Sequence, residues 1–393
     1  MPRFLPLDYS VRNLARRPLR TALTAGSCAL VAGLLASTAA FVGGLARSAA
    51  SQGRDDVGIL LSRVSESDVL RSTVPAAAAA EVAAAVPAVA RPGGVPAVSP
   101  EIHVGTHLRL GPRPPEGAAD PHHEAFVRGV TERALLVHDA VTIVDGAPPG
   151  PGEVLVGRLV PEKLGLDPAR FALGETLRFE NGSFTVSGHF VAPGTTIESE
   201  LWAQVQDLKS LTRRDDVSAL FVRLERPQDM SQLELFTRRR LDLELNAIPS
   251  TVYYAELAAW FAPIQGLAWV LAAMMAGAAL FGAANTLNAA VADRTVELAT
   301  LRAVGYRGPA LVAALMLEGL LLAAAGALVG LVLARALVEG AAVGIAMGAF
   351  ELEIGPRAVL AAFAGVLALG LFACLPAALR VLRMPVALAL KEG

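Results

Sequence analysis

Residues Thr21 to Ala46 read TALTAGSCALVAGLLASTAAFVGGLA, without one charged side chain. A helix needs ~20 apolar residues to cross a bilayer, so this run is long enough to span one. Three more runs of that kind follow. The chain is uncharged from Leu257 to Ala292, with a span expected over residues 263–292. A third span is expected over 309–338, with one internal acid, Glu318, and a fourth over 358–380, uncharged from Ala358 to Leu379. The four runs predict a multi-pass α-helical membrane protein with four transmembrane helices.

Composition agrees. Of 393 residues, 54% are hydrophobic and only 18% are charged, and the mean hydropathy is +0.50. A soluble globule this apolar would be hard to keep dispersed, so the excess belongs in spans. A net charge of −2 argues against a nucleic-acid partner, which calls for a basic surface. Cys28 and Cys374 both fall inside apolar runs and read as small hydrophobes, not as a disulfide or a reactive thiol.

Orientation follows from Arg and Lys, which favour the cytoplasmic side. Arg3, Arg12, Arg16, Arg17 and Arg20 precede the first span; Arg294, Arg302 and Arg307 lie between the second and third; Arg380, Arg383 and Lys391 follow the fourth. The loop after the third span instead carries Glu339, Glu351 and Glu353 against Arg357. Both termini are therefore expected in the cytoplasm. The resulting layout is a cytoplasmic segment 1–20, span 21–46, extracytoplasmic domain 47–262, span 263–292, cytoplasmic loop 293–308, span 309–338, short outer loop 339–357, span 358–380 and cytoplasmic tail 381–393. A cleaved signal peptide is the rival reading of the first run. The length of that run and the Arg-rich residues before it favour a retained helix.

The outer segment reads as a mixed α+β domain inserted between the first two spans. Strands are expected at Val57–Leu61, Glu153–Val160 and Val217–Leu224, and helices at Pro75–Val86 and Ser231–Leu245. Arg91–Pro100 and Gly111–His122 read as loops. Asn181-Gly182 between two apolar runs predicts a hairpin over Leu177–Phe190.

Catalytic patterns are missing from the sequence. It contains no G-x-x-x-x-G-K-[ST] phosphate loop, no H-E-x-x-H and no G-x-S-x-G elbow, so nucleotide binding by that route, zinc-peptidase and hydrolase chemistry find no support. His103 and His107 are placed on one face of an extended segment without a third ligand. Pro121-His122-His123-Glu124 is the only cluster with a metal-like composition, and a solvated polar loop explains it better. The chain is expected to be non-catalytic and to carry no cofactor or metal.

A family resemblance enters at the second cytoplasmic loop. Asn285-Thr286-Leu287, then Arg294-Thr295-Val296-Glu297-Leu298-Ala299-Thr300-Leu301-Arg302-Ala303-Val304-Gly305-Tyr306, then Glu318-Gly319 resemble the FtsX-like permease signature. The tail Ala377 to Leu388 and the amphipathic N-terminal approach Val11 to Thr21 are similar to the family's ends. The long domain between the first two spans matches the layout of MacB-type permeases. The chain departs from MacB itself in lacking the fused ATPase, so it is more similar to permeases that work with a separate ATPase subunit.

The resemblance implies the transmembrane subunit of an ABC transporter. ATP would be bound by a separate ATPase subunit, a second copy or a paralogue would complete a dimer, and a periplasmic adaptor is a further candidate partner besides membrane lipid. Such a subunit in a bacterial inner membrane would export, or transmit force to, a lipid, lipoprotein, peptide or drug cargo. The alternatives are an FtsX-like regulator of a cell-wall hydrolase and, disfavoured by the missing motifs, a membrane enzyme. The residues expected to couple the ATPase are Arg294, Glu297, Leu298, Leu301, Arg302, Gly305 and Tyr306. Leu298, Leu301 and Val304 are read as the apolar side of a stiff amphipathic helix, Arg294, Glu297 and Arg302 as polar contacts, and Gly305 as its stop. The bland alternative is an ordinary positive-inside loop.

Asn285, Glu318, Gly319, Gly326 and Gly330 are the intramembrane polar and packing candidates. A charged group in a span costs ~2.5–3.5 kcal/mol on insertion scales, so Glu318 should face other helices, in an interhelical bond or a substrate site. Gly326 and Gly330 form a small-x-x-x-small face that suits either a dimer or the bundle itself.

Overall fold

The computed structural model describes residues 18–65, 68–115, 120–345 and 348–383. The N-terminal approach before Pro18 and the tail beyond Arg383 lie outside the described residues. The chain divides into two compact units. One comprises Met1–Gly43, Pro263–Ala341 and Leu352–Gly393; the other comprises Gly44–Ala262 and Ala342–Glu351.

The first unit is built on α1 (Pro18–Gln52), α2 (Ala262–Ala292), α3 (Thr295–Ala303), α4 (Gly308–Val338) and α5 (Pro356–Arg383). All but α3 are long and apolar enough to cross a membrane. Helix α1 continues past Ala46, where the apolar run ends, and the helical chain stops only ahead of Gly53. A Cβ at Gly53 would run into Thr251, so glycine fits that close approach.

Glycine also sets the helix packing. A Cβ at Gly326 would strike the Ala25 carbonyl and Cys28 of α1, and one at Gly330 the Ala29 carbonyl. On the side facing α5, a Cβ at Gly319 would meet the Cys374 sulfur and one at Gly370 would meet Ala323. Between apolar helices in lipid, close backbone approach through small residues supplies the dispersion contacts that water-driven burial cannot. Within this chain the Gly326–Gly330 face packs on α1, one of the two uses that the sequence allows. Helix α2 buries little, chiefly Ala272, Ala276, Leu287, Ala290 and Val291, and exposes Trp269, Val270, Met274, Met275 and Phe281, as a lipid-facing helix would.

The second unit carries β1 (Val57–Ser62), β2 (Val98–Leu110), β3 (His123–Val130), β4 (Thr142–Gly146), β5 (Glu153–Gly157), β6 (Thr176–Phe179), β7 (Gly182–Val191), β8 (Leu201–Gln204), β9 (Ala219–Arg223) and β10 (Leu245–Pro249). They form one sheet in the order β10-β1-β9-β2-β3-β8-β5-β7-β4, with β6 pairing β2 and β7. Pairing is antiparallel except for β3–β8 and β5–β7. Trp202, Phe171, Phe179, Phe190 and Phe221 are fully buried against the sheet.

Several local expectations need correction. The hairpin turn is Glu180-Asn181, both at positive φ (48° and 65°), because Phe179 pairs Gly182 across the ladder. That register stacks Phe179 on Phe184 at 4.2 Å; a slip of one residue would send the two rings to opposite faces. The helix expected to reach Leu245 stops at Arg239. Leu245 instead opens β10 and pairs with Ser62, so Leu245 and Ala247 alternate into the core. Val98–Pro100, expected in a loop, begins β2. Pro100 is tolerated there because this part of β2 pairs only β9, leaving the other edge without a ladder bond to lose. The helix expected from Pro75 begins at Ala78, and the strand expected to reach Val160 ends at Gly157, since Val160-Pro161 starts a short helix.

Within the loop expected over 339–357, Ala342–Glu351 belongs to the outer unit. Strands β11 (Ala342–Ile345) and β12 (Gly348–Glu351) pair with each other. The Ala349 N–H donates to Ser199 Oγ at 2.9 Å in a buried bond. Arg158 reaches Glu198 at 2.8 Å and Glu351 at 2.6 Å.

Beneath the sheet lies a buried charge cluster. Arg128 donates through Nε and Nη2 to both oxygens of Glu200 (2.7 and 2.8 Å) and through Nη1 to Glu101 at 2.7 Å. Glu101 also meets His138 Nε2 at 2.7 Å and His103 Nε2 at 3.4 Å. The Trp202 indole donates to Glu200 at 3.2 Å. Burial alone would raise the Glu101 carboxyl, but attraction to His138 and Arg128, with hydrogen bonds from both histidines, holds it well below the ordinary 4.5. Burial, with Arg128 alongside, pushes His103 below the ordinary 6.5. Burial likewise raises Tyr254 beside them and takes Tyr253 up to about 12.

Both depressed groups bind fewer protons when folded than when unfolded, so stability must fall with falling pH. The His103 contribution is complete above about pH 6.5 and is lost as pH drops through its lowered folded value. The Glu101 contribution is complete above about pH 4.5 and is lost well below it. The melting temperature of the detergent-solubilised chain is expected to fall from pH 7 to pH 5, and His103→Phe should flatten that limb. An unchanged slope in this variant would contradict the assignment.

Candidate functional site

The short helix α3 follows α2 after Asp293 and Arg294, and Gly305 to Arg307 lead from it into α4. Its start is fixed locally. Arg294 takes the non-helical N-cap conformation (φ −117°, ψ 18°), and Thr295 Oγ1 donates to the Ala292 carbonyl at 2.7 Å. Glu297 in the first turn and Arg302 in the last suit the helix dipole. The end is a glycine stop. Tyr306 N–H donates to the Leu301 carbonyl (3.0 Å) and Gly305 N–H to that of Arg302 (3.1 Å), with Gly305 at φ +108°. Those paired bonds close the carbonyls a helix leaves open, and the conformation favours glycine.

The inner side of α3 packs on a small apolar core. Ala299 is fully buried, and Leu298, Leu301 and Tyr306 lie half-buried against Leu287, Val291, Leu311, Cys374 and Val381. Arg294 and Arg302, expected to reach outward, also turn in. Arg294 Nη1 lies 3.7 Å from Glu318 Oε2 on α4, and Arg302 Nη1 reaches the Val381 carbonyl of α5 at 3.4 Å. The Arg380 guanidinium adds a contact at 3.3 Å to Asn288 on α2.

The outward face is therefore Val296, Glu297, Thr300 and Val304. Val304, expected beside Leu298 and Leu301, stands 64% exposed. Six residues of helix rotate it about 240° from Leu298, so the two cannot share a face. Among the expected coupling residues only Glu297 and Gly305 remain outward. Val296, Thr300 and Val304 follow one another on this face at a spacing of four, a pattern readable in the sequence.

Of the intramembrane candidates, Gly319, Gly326 and Gly330 sit at helix contacts, Glu318 at the ion pair, and Asn285 on the exposed side of α2. Groups of three or more His, Cys, Asp or Glu able to hold a metal ion are absent among the described residues. His107 lies against His122 at 4.7 Å between ring centroids, short of a ligand set.

The family model for the FtsX-like permease C-terminal region matches residues 269–386, which contain α3 and its anchors. The model for the MacB-like periplasmic core domain matches residues 21–235, more than half of the chain. The chain belongs to the MacB/FtsX-type ABC permease family. Within such a permease, the outer domain occupies the position between the first and second apolar helices that the MacB-like core domain takes. The chain is similar to the crystal structure of the periplasmic region of MacB from Actinobacillus actinomycetemcomitans, at 13% identity and a TM-score of 0.38 over 53% of this chain and 94% of that one. It is also similar to the extracellular domain of the noncanonic ABC-type transporter YknZ from Gram-positive bacteria, at 14% identity and a TM-score of 0.36 over 49% and 99%. Among curated proteins none matches.

Proposed function

We propose that this permease is the transmembrane subunit of a MacB-type transporter, with both termini in the cytoplasm of a bacterial inner membrane. It works with a separate ATPase and a second copy or paralogue of itself. Motion at α3 drives export of, or force on, a periplasmic or outer-leaflet cargo. The observation that carries this reading is the outward face of α3. Val296, Glu297, Thr300 and Val304 stand exposed on a helix whose opposite side is packed and whose two ends are tied to neighbours. A short helix held from behind resists a push on its free face, as a coupling element must. Support at the outer end comes from β11–β12. Within the segment joining α4 to α5, Ala342–Glu351 belongs to the outer unit and is held there by Ser199 and Arg158, so displacement of those spans has a covalent route outward.

Val296→Asp combined with Val304→Asp places two charges on the free face and leaves the anchors intact. Each buried Val contributes ~1.5–3 kcal/mol when sequestered from water, so co-purification of the cognate ATPase is expected to fall at least tenfold. Expression and membrane insertion should match the parent. Val144→Asp, on an exposed outer strand, serves as the control and should change neither. Undiminished ATPase capture by the double variant would remove α3 as the docking face.

A further inference from the structure

The ion pair between Arg294 and Glu318 joins the N-cap of α3 to the interior of α4. Glu318 lies about 15 Å along α4 from Gly308 at 1.5 Å per residue. Both side chains are 14% exposed, and Leu287, Val291, Leu298, Leu311 and Leu315 line the same recess. Apolar packing on its own is non-directional and lets one helix slide or roll on another. A pair of opposite charges among apolar side chains holds one arrangement, because removing either partner strands the other.

We propose that the Arg294–Glu318 pair is the positioning contact that binds α3 to α4, so that a push on α3 enters the third span and both move as one body. The inference rests on the coupling role of α3 proposed above and names the residue pair through which that role is exerted. The Arg302 contact to Val381 ties the other end of α3 to α5. That bond ends on a backbone carbonyl, whereas the first ties a charge to a charge. Helix α4 then runs to Val338, and after Glu339, Gly340 and Ala341 the chain enters β11 of the outer unit. The helix that receives the pair thus continues covalently toward the anchored hairpin.

A merely structural role, neutralising an acid within a span, makes a different forecast. Replacing a buried ion pair by apolar residues of similar size is commonly neutral or stabilising. Arg294→Leu with Glu318→Leu would then leave everything unchanged. A positioning role requires the fold to survive in this double variant while α3 loses its fixed place.

The measurement is a pulsed electron–electron distance between spin labels at Val304→Cys and Leu337→Cys, both exposed, with Cys28 and Cys374 replaced by Ala. The full chain is reconstituted in lipid discs. The parent should give a single narrow distribution. Glu318→Gln and the double Leu variant should each broaden it at least twofold, with the melting temperature of the double variant held within a few degrees of the parent. The charge swap Arg294→Glu with Glu318→Arg should restore the narrow distribution. A parental width in the double Leu variant overturns the proposal, even if the swapped chain fails to insert. Capture of the ATPase by the parent is scored separately. Its absence would defeat the coupling reading and leave the distance result to decide whether the pair positions α3.

Discussion

Replacing Arg128 with Met is expected to unfold the outer domain at physiological temperature while the apolar spans still insert. Arg128 is the one guanidinium shared by Glu101 and Glu200, and the three side chains are at most 5% exposed. Methionine fills much of the volume but takes the shared cation from two buried carboxylates, leaving His138 and His103 beside Glu101 and the Trp202 indole beside Glu200. Breaking a buried pair in this way costs about 3–5 kcal/mol, and here one substitution breaks two. Whole domains are stable by only ~5–15 kcal/mol, so the loss is a large share of what holds the sheet. Protease sensitivity should rise at loops of the outer domain, with the membrane helices still protected, and the outer-domain melting transition should disappear. Adding Glu101→Gln and Glu200→Gln to Arg128→Met removes the stranded charges and should recover most of the transition. A single variant that melts within about 2 °C of the parent would show that the cluster does not stabilise the domain.

The spans were legible because each is a long apolar run, the strongest pattern a chain carries. Their ends were less so. Helix α1 outlasts its apolar run by several residues, since helical hydrogen bonding continues until the close approach at Gly53 forces a turn. The β strands Val57–Ser62 and Ala219–Arg223 were readable from apolar runs. The start of β2 through Pro100 was not, because composition around it signals a loop and only the one-sided pairing makes the proline acceptable. Glycine at 305 announced the helix stop, and its positive φ fits that reading. The direction of Arg294 was illegible for another reason: its partner Glu318 is distant in sequence, and nothing local distinguishes an arginine aimed at an ATPase from one aimed at a half-buried acid. The same holds for Glu101 on β2, Arg128 on β3 and Glu200 just ahead of β8, which are ordinary polar residues until the sheet assembles.

Gly330→Leu is expected to prevent α1 from joining the bundle, with the chain degraded in the membrane or aggregated on extraction. A Cβ at this position would overlap the Ala29 carbonyl, a backbone atom that no rotamer change can move aside. Relief requires the helices to separate, and separation strips Ala32 and Ala36, both fully buried, of their neighbours. Overpacking a well-packed interior costs about 1–3 kcal/mol even where side chains yield, and here backbone must yield. Gly277→Leu on α2 is the matched control. A Cβ there meets nothing within 4 Å, and the larger side chain adds apolar surface to a helix already facing lipid. Size-exclusion profiles of fluorescently tagged variants give the comparison: a monodisperse peak for Gly277→Leu and a collapsed one for Gly330→Leu. The two uses of the Gly326–Gly330 face then separate cleanly. Were it a contact between two copies, Gly330→Leu would shift the peak to a folded single chain of normal abundance. That outcome would move the face from the interior of one bundle to the interface of two.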